Sequence, residues 1–168
     1  MTNETRATSW DHTSLSVKDL DSAIRFYESA FGFSVVFEAR GLTGQAASIT
    51  GTPGMELDVA HLVSPLSPHR LELIQFSAPG GQGAADASGG APTAPGAGHV
   101  SFVVEDLEHA IAAVQALGAR QLGAVTSFAE GRSAYLMEPS GTVIELEEGS
   151  APELALLRDP IPRQGHSP

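Results

Sequence analysis

The chain has 168 residues, 42% apolar and 17% charged. That is enough to build one ordinary domain or two fused half-size modules, and it excludes a wholly disordered protein. There is no cysteine and the net charge is −11, which excludes disulfides, a thiolate metal site and a cysteine nucleophile and argues against a basic groove for nucleic acid. No apolar run approaches the ~18 residues of a membrane span, and the start, MTNETRATSW, is too polar for a signal peptide. The expectation is a cytoplasmic protein without membrane contact.

The first nine or so residues read as loose chain. His12–Val17 then alternates in polarity, the mark of a half-buried strand. Asp19 is placed to cap a helix on which Leu20, Ala23, Ile24, Tyr27 and Phe31 recur at helical spacing, and Gly32 is placed to stop it. Phe33–Glu38 is a β-rich run. Glu56–Val63 and Arg70–Phe76 are two more, joined by SPLSPH as a hairpin loop. The first module, residues 10–77, therefore reads β-α-β-β-β. Residues 78–98 contain ten Gly or Pro in 21 positions and no large apolar side chain. Such a segment buries too little area to offset its ordering entropy and reads as a flexible linker.

The second module, 99–149, repeats the order. His99–Val104 is a strand. Asp106 caps a helix carrying Leu107, Ala110, Ile111, Val114 and Leu117, ended by Gly118. Arg120–Val125 is a weaker strand, and Ser133–Met137 with Thr142–Glu147 forms a hairpin across Glu138-Pro-Ser-Gly141. Residues 150–168 are a loose tail broken by prolines, with a short amphipathic turn around Leu154–Leu157.

The two halves also share side chains. HTSLSVKDLDSAI from His12 aligns with HVSFVVEDLEHAI from His99, and Leu71-Glu72-Leu73 matches Ile144-Glu145-Leu146. A repeated His on each first strand and a repeated Glu on each last strand is the feature of most weight. If the modules pack with pseudo-two-fold symmetry, His12, Glu72, His99 and Glu145 converge as two imidazoles and two carboxylates. Such a set suits one divalent ion of Zn, Co, Ni, Mn or Fe(II). Each Glu also lies in an otherwise apolar strand, where an unpaired carboxylate is costly to bury. His61 comes second: if Val63 pairs with Arg70, it lies opposite Glu72 on the same face, within reach of the carboxylate or a substrate. His69, His109, Glu147 and Glu148 read as solvated, and Glu56 and Asp58 as rim residues.

The motifs DHTSLSVKDLDSAIRFYESAFGF, HRLELIQF, GHVSFVVEDLEHAI and EPSGTVIELEE resemble the vicinal oxygen chelate superfamily, over about Trp10 to Glu148. Its members include glyoxalase I, methylmalonyl-CoA epimerase, extradiol dioxygenases, fosfomycin resistance enzymes and bleomycin-binding proteins. The resemblance implies an α+β fold in which paired βαβββ modules form a curled mixed sheet around a metal cavity, with His12, Glu72, His99 and Glu145 at the four ligand positions. Retention of all four resembles the isomerase and epimerase branch. The glutathione-contacting Arg and Asn of glyoxalase I are replaced by Ser16 and Phe76, and methylmalonyl-CoA epimerase usually has Gln where Glu72 stands. The stretch from GLTG to HRLELIQF is more similar to the cyclitol epimerase group.

The expected activity is metal-dependent epimerisation at the carbon beside a carbonyl of a small cyclitol ketone, with Glu72, Glu145 and His61 as the catalytic groups. A methylmalonyl-CoA epimerase-like or glyoxalase-like isomerase, an iron-dependent dioxygenase and a drug-sequestering binding protein are the alternatives. A homodimer is one of two ways to pair the modules, the other being pairing within one chain.

Overall fold

The computed structural model describes residues 11–77, 98–128 and 131–149. The expected linker, except for Gly98, the tail and the first residues lie outside them. The elements run β1 (His12–Ser16), α1 (Leu20–Phe31), β2 (Ser34–Leu42), α2 (Gly44–Thr50), β3 (Glu56–Ser64) and β4 (Ser67–Ser77). There follow β5 (His99–Val103), α3 (Leu107–Ala116), β6 (Arg120–Gln121), β7 (Thr126–Ser127), β8 (Gly131–Met137) and β9 (Val143–Gly149). The α+β class and the two βαβββ-like modules are as expected. The strands form one mixed sheet of order β1-β4-β3-β2 and a second of order β5-β9-β8-β6, with β7 also on β8.

Three details depart from the sequence reading. Helix α2 was not expected, because its GQAASIT sequence carries no apolar stripe. It is held by burying Ala46 against Leu57 and Val59 and ends at Gly51 with φ of 66°. The β3–β4 turn is tighter than the expected six-residue loop. Of the expected strand over Arg120–Val125 only the two-residue β6 forms, and β7, just beyond it, makes a second two-residue pairing with β8.

The modules are built alike at atomic detail. In each, the first strand pairs in parallel with the last, a connection that requires a crossover, here the helix. Asp19 caps α1 with φ and ψ of −144° and 110°, and its carboxylate accepts from the Ser22 amide at 2.6 Å. Asp106 caps α3 at −140° and 108°, accepting from the His109 amide at 2.8 Å. A second tie starts each helix. The Leu20 amide donates to Gln75 Oε1 at 2.8 Å, and the Leu107 amide to Glu148 Oε2 at 2.7 Å. Glu148 is thus a helix-start acceptor rather than a solvated residue. Arg132 also grips it and Glu108, with contacts of 2.6 to 3.0 Å.

Alternation along the strands divides each sheet into two faces. Leu71, Leu73, Ala60 and Leu62 face α1, and Ala134, Leu136, Ile144 and Leu146 face α3. All belong to one continuous core with the buried residues of both helices. The modules meet through this core. Phe31 of α1 stacks on Phe102 of β5 with ring centroids 3.7 Å apart, and the Tyr27 hydroxyl lies 3.4 Å from Thr142 Oγ1. The Lys18 amide donates to the Ser140 carbonyl at 3.1 Å. The β8–β9 turn that receives these contacts is itself fixed by Glu138, which is buried. Its carboxylate accepts from the amides of Ser140 and Thr142 at 2.7 and 2.9 Å and from both hydroxyls. Four donors replace the water a buried carboxylate loses.

Asp19 gives a test of the cap geometry. The hydrogen bonds from Ser22 hold its carboxyl below the ordinary value of 3.8. Its contribution is therefore present above the unfolded-state pKa and is lost as pH falls through the folded-state one. Asp19→Ala is expected to cost about 1 kcal/mol near neutral pH, read by thermal or urea unfolding. The gap between variant and wild type should close as the pH falls below about 4.

Candidate metal centre

The faces turned away from the helices carry the chemistry. In β1 and β4, Ser14 is in register with Glu72. In β5 and β9, Ser101 is in register with Glu145. His12 and His99 each stand two residues before that serine, so each imidazole shares a face with the glutamate of its own module. His12 Nε2 lies 3.3 Å from Glu72 Oε1, and His99 Nε2 lies 3.0 Å from Glu145 Oε2. The hairpin register is as read from the sequence: Val63 pairs with Arg70 and His61 with Glu72. His61 Nε2 donates to Glu72 Oε2 at 2.8 Å. The imidazoles of His12 and His61 stack with centroids 5.8 Å apart, and Phe37 packs on His61 at 5.3 Å. One carboxylate thus receives an imidazole on each oxygen.

Tautomers follow from partners. His12 Nδ1 lies 2.8 Å from Asp11 Oδ2, and Asp11 is paired on its other side with Arg70. Imidazole with carboxylate is a donor set for a divalent metal. In donor chemistry both pairs fit such an ion.

In one chain the pairs stay apart. Among the described residues, the group of three acidic or imidazole side chains close enough to share an ion is Asp106, Glu108 and Glu148. That group is exposed in part and is occupied by the Arg132 guanidinium. The four expected ligands are brought together two and two, His12 with Glu72 and His99 with Glu145, and not as a quartet.

The sequence reading missed Tyr135. It is in register with Glu145, the position His61 holds against Glu72. Its ring packs on His99 at a centroid distance of 5.0 Å. Loss of hydration, then the charges of Glu145 and Glu147, raise its phenol above the ordinary value of 10.0, so it serves as a neutral hydroxyl. The four-residue turn read from the sequence would set Tyr135 opposite Ile144, and the observed pairing of Met137 with Val143 moves it opposite Glu145. His69 is not simply solvated: its Nε2 is 3.0 Å from Thr13 Oγ1. Glu147 accepts from Ser101 Oγ at 2.9 Å, and Asp58 from the Gly41 amide at 2.8 Å.

Residues 9–146 match the model of the Glyoxalase/Bleomycin resistance protein/Dioxygenase superfamily, and the chain belongs to that family. Among solved structures it is similar to a glyoxalase family protein from Bacillus cereus. The identity there is 28%, the TM-score 0.73, and 89% of this chain and 99% of that one are covered. It shares its fold with a glyoxylase/bleomycin resistance protein/dioxygenase domain from Frankia sp. (22% identity, 86% and 100% covered, TM-score 0.58). It also shares it with fosfomycin resistance protein FosX from Listeria monocytogenes, solved with Mn(II) and 1S,2S-dihydroxypropylphosphonic acid (15% identity, 92% and 100% covered, TM-score 0.57). No curated protein is significantly similar. Among the described residues no helix is long and apolar enough to cross a membrane.

The two imidazoles on Glu72 give a direct test. His61→Phe keeps an aromatic ring beside Phe37 but removes the donor to Glu72 Oε2. Affinity for Mn(II), by isothermal titration calorimetry, is expected to fall about 10- to 100-fold. His61→Gln, which retains a donor, should lose less.

Proposed function

We propose that this protein is a metal-dependent epimerase that moves the proton on the carbon beside a carbonyl. His12, Glu72, His99 and Glu145 hold one divalent ion, and the protein works as a homodimer. The observation that carries this reading is the same His–Glu pair at the same register on both modules, each pair at contact distance. A binding protein that only sequesters its ligand has no need of four such side chains.

The residues divide the work. A divalent ion held by these residues would supply positive charge to stabilise the oxyanion that forms as the proton leaves. Glu72 and Glu145 come from different modules and approach a substrate carbon from opposite sides, one taking the proton and the other, or a water, returning it. His61 holds Glu72 Oε2 and so fixes which oxygen is turned toward His12. Tyr135 stands in the same relation to Glu145 as a neutral donor for a substrate oxygen.

The substrate favoured is a neutral, hydroxylated ring ketone of the cyclitol class, such as 2-epi-5-epi-valiolone. The cation on the Glu72 face, Arg70, is paired with Asp11, which leaves little to hold a phosphate-bearing acyl-CoA. Ser16 and Phe76 replace the Arg and Asn that a glutathione adduct would need. Phe37, half exposed beside His61, offers a ring face to the C–H side of a cyclitol.

The test is solvent exchange. Protein loaded with each candidate metal, incubated with 2-epi-5-epi-valiolone in deuterated water, should place one deuterium at C2, read by NMR. Glu145→Gln should slow this by about 10²- to 10⁴-fold. Deuterium entering methylmalonyl-CoA and not the cyclitol would overturn the substrate and keep the mechanism. Exchange into neither, with metal bound, would overturn the epimerase.

A further inference from the structure

We infer that a groove on the second module, where Phe128 and Ser133 stand beside Tyr135 and Glu145, holds the part of the substrate that does not react, and that Phe128 and Ser133 set its specificity. The ligand it fits is a hydroxylated carbocycle with a bare C–H face. The inference rests on the proposed function for the reacting end of that molecule and concerns where the remainder lies.

The internal repeat supplies the comparison. Val59 stands two residues before His61 in β3, and Ser133 two residues before Tyr135 in β8. By register Val59 lies opposite Ile74 and Ser133 opposite Glu147. Each pair is therefore the next one along the glutamate-bearing face of its own module. On the first module that place is filled. Helix α2 buries Ala46 against Leu57 and Val59, with Ile74 and Phe76 packed on the same cluster, and Val59 is only 7% exposed. Helix α2 thus takes up the space a ligand would need. On the second module, among the described residues, no helix covers the equivalent place. A groove of about 360 Å³ opens there, and Ala124, Thr126, Phe128, Ser133, Tyr135 and Glu145 line it.

Backbone hydrogen bonds hold the walls of the groove in place. The Leu122 amide donates to the Tyr135 carbonyl at 2.9 Å, and the Phe128 amide to the Gly131 carbonyl at 2.7 Å. Between them Thr126 pairs with Ser133. Gly131 is what lets the chain return so closely, because a Cβ there would collide with the Glu148 carbonyl oxygen. Phe128 is nevertheless 58% exposed, so a fixed aromatic ring stands at the groove with most of its surface uncovered.

The lining selects the ligand. Phe128 and Ala124 offer apolar surface, while Ser133 and Tyr135 offer hydroxyls. A carbocycle can lay its C–H face on the aromatic ring and turn its hydroxyls to Ser133 and Tyr135. No Arg or Lys lines the groove, so a phosphate would find no partner there. The volume is also at the small end of ligand pockets, roughly 300–1,000 Å³, which suits a single ring. Because Glu145 belongs to the lining, a ring seated there reaches the carboxylate without leaving the groove. Phe37, beside His61 on the first module, belongs to the reacting end.

Two measurements test this. Deuterium exchange into 2-epi-5-epi-valiolone is followed in the metal-loaded wild type, in Phe128→Ala and in Ser133→Val, with folding checked by circular dichroism. The valine reproduces in the groove the side chain that Val59 gives the first module. KM is expected to rise about 10-fold or more in each variant, with kcat nearly unchanged, the mark of binding lost equally from ground and transition states. Separately, 15N-labelled protein is titrated with myo-inositol, a hydroxylated ring without a ketone, and its amide shifts are read by NMR. Shifts are expected at Ala124, Phe128 and Ser133 and not at Ala46 or Val59. An active wild type with KM unchanged in both variants, or with shifts gathered on the first module, would overturn this inference and leave the epimerase standing. A wild type that exchanges no deuterium but still shows the groove shifts would overturn the proposed function and support the ring site. Neither exchange nor shifts would overturn both.

Discussion

The parallel pairing of first strand with last strand in each module is the constraint on which the rest depends. It puts Ser14 beside Glu72 and Ser101 beside Glu145, and so sets an imidazole and a carboxylate on one face. A parallel pair cannot be closed by a tight turn. The helix that must cross over is therefore also the helix that shields the other face. Gln75 and Glu148 lock this arrangement from the same last strands, each three residues past the site glutamate and each accepting the first amide of its helix. Backbone pairing, helix start and site geometry are one construction made twice.

The junction of the modules is built differently from the modules themselves. It uses aromatic stacking and a few polar contacts rather than strand pairing. Phe31, Phe33, Tyr27 and Phe102 form a cluster with mutual centroid distances from 3.7 to 6.4 Å. The Glu138 turn gives that cluster a rigid wall through Thr142, which touches both Glu138 and Tyr27. A buried charge satisfied by four donors tolerates little movement.

Much of this was legible in the sequence, and what was not has a physical reason. The caps at Asp19 and Asp106 and the His61–Glu72 pairing follow from local rules, namely side-chain capping and hairpin register. Helix α2 was hidden because its small residues carry no stripe, and only the surface offered by Leu57 and Val59 makes it a helix. Glu148 read as solvent-facing because charge patterning does not reveal a backbone amide waiting one strand away. The positions of the four candidate ligands along their strands followed from the repeat. Their division into two pairs did not, because it depends on which faces of the modules join, and the sequence pattern is nearly the same for either choice.

The two modules differ in what surrounds the glutamates. Register gives Glu72 an imidazole neighbour in His61 and Glu145 a phenol neighbour in Tyr135. A perfect internal repeat would present the same surroundings from either side, and a small molecule would sit equally well in two opposed poses. With an imidazole on one side and a phenol on the other, that degeneracy is lifted. Glu72 meets ring nitrogens of His12 and His61, whereas Glu145 meets one, from His99, and has Tyr135 in register beside it. The repeat supplies two glutamates, and the exchange of His61 for Tyr135, with Arg70 and Ile74 standing where the other module has Val143 and Glu147, gives the pair a left and a right.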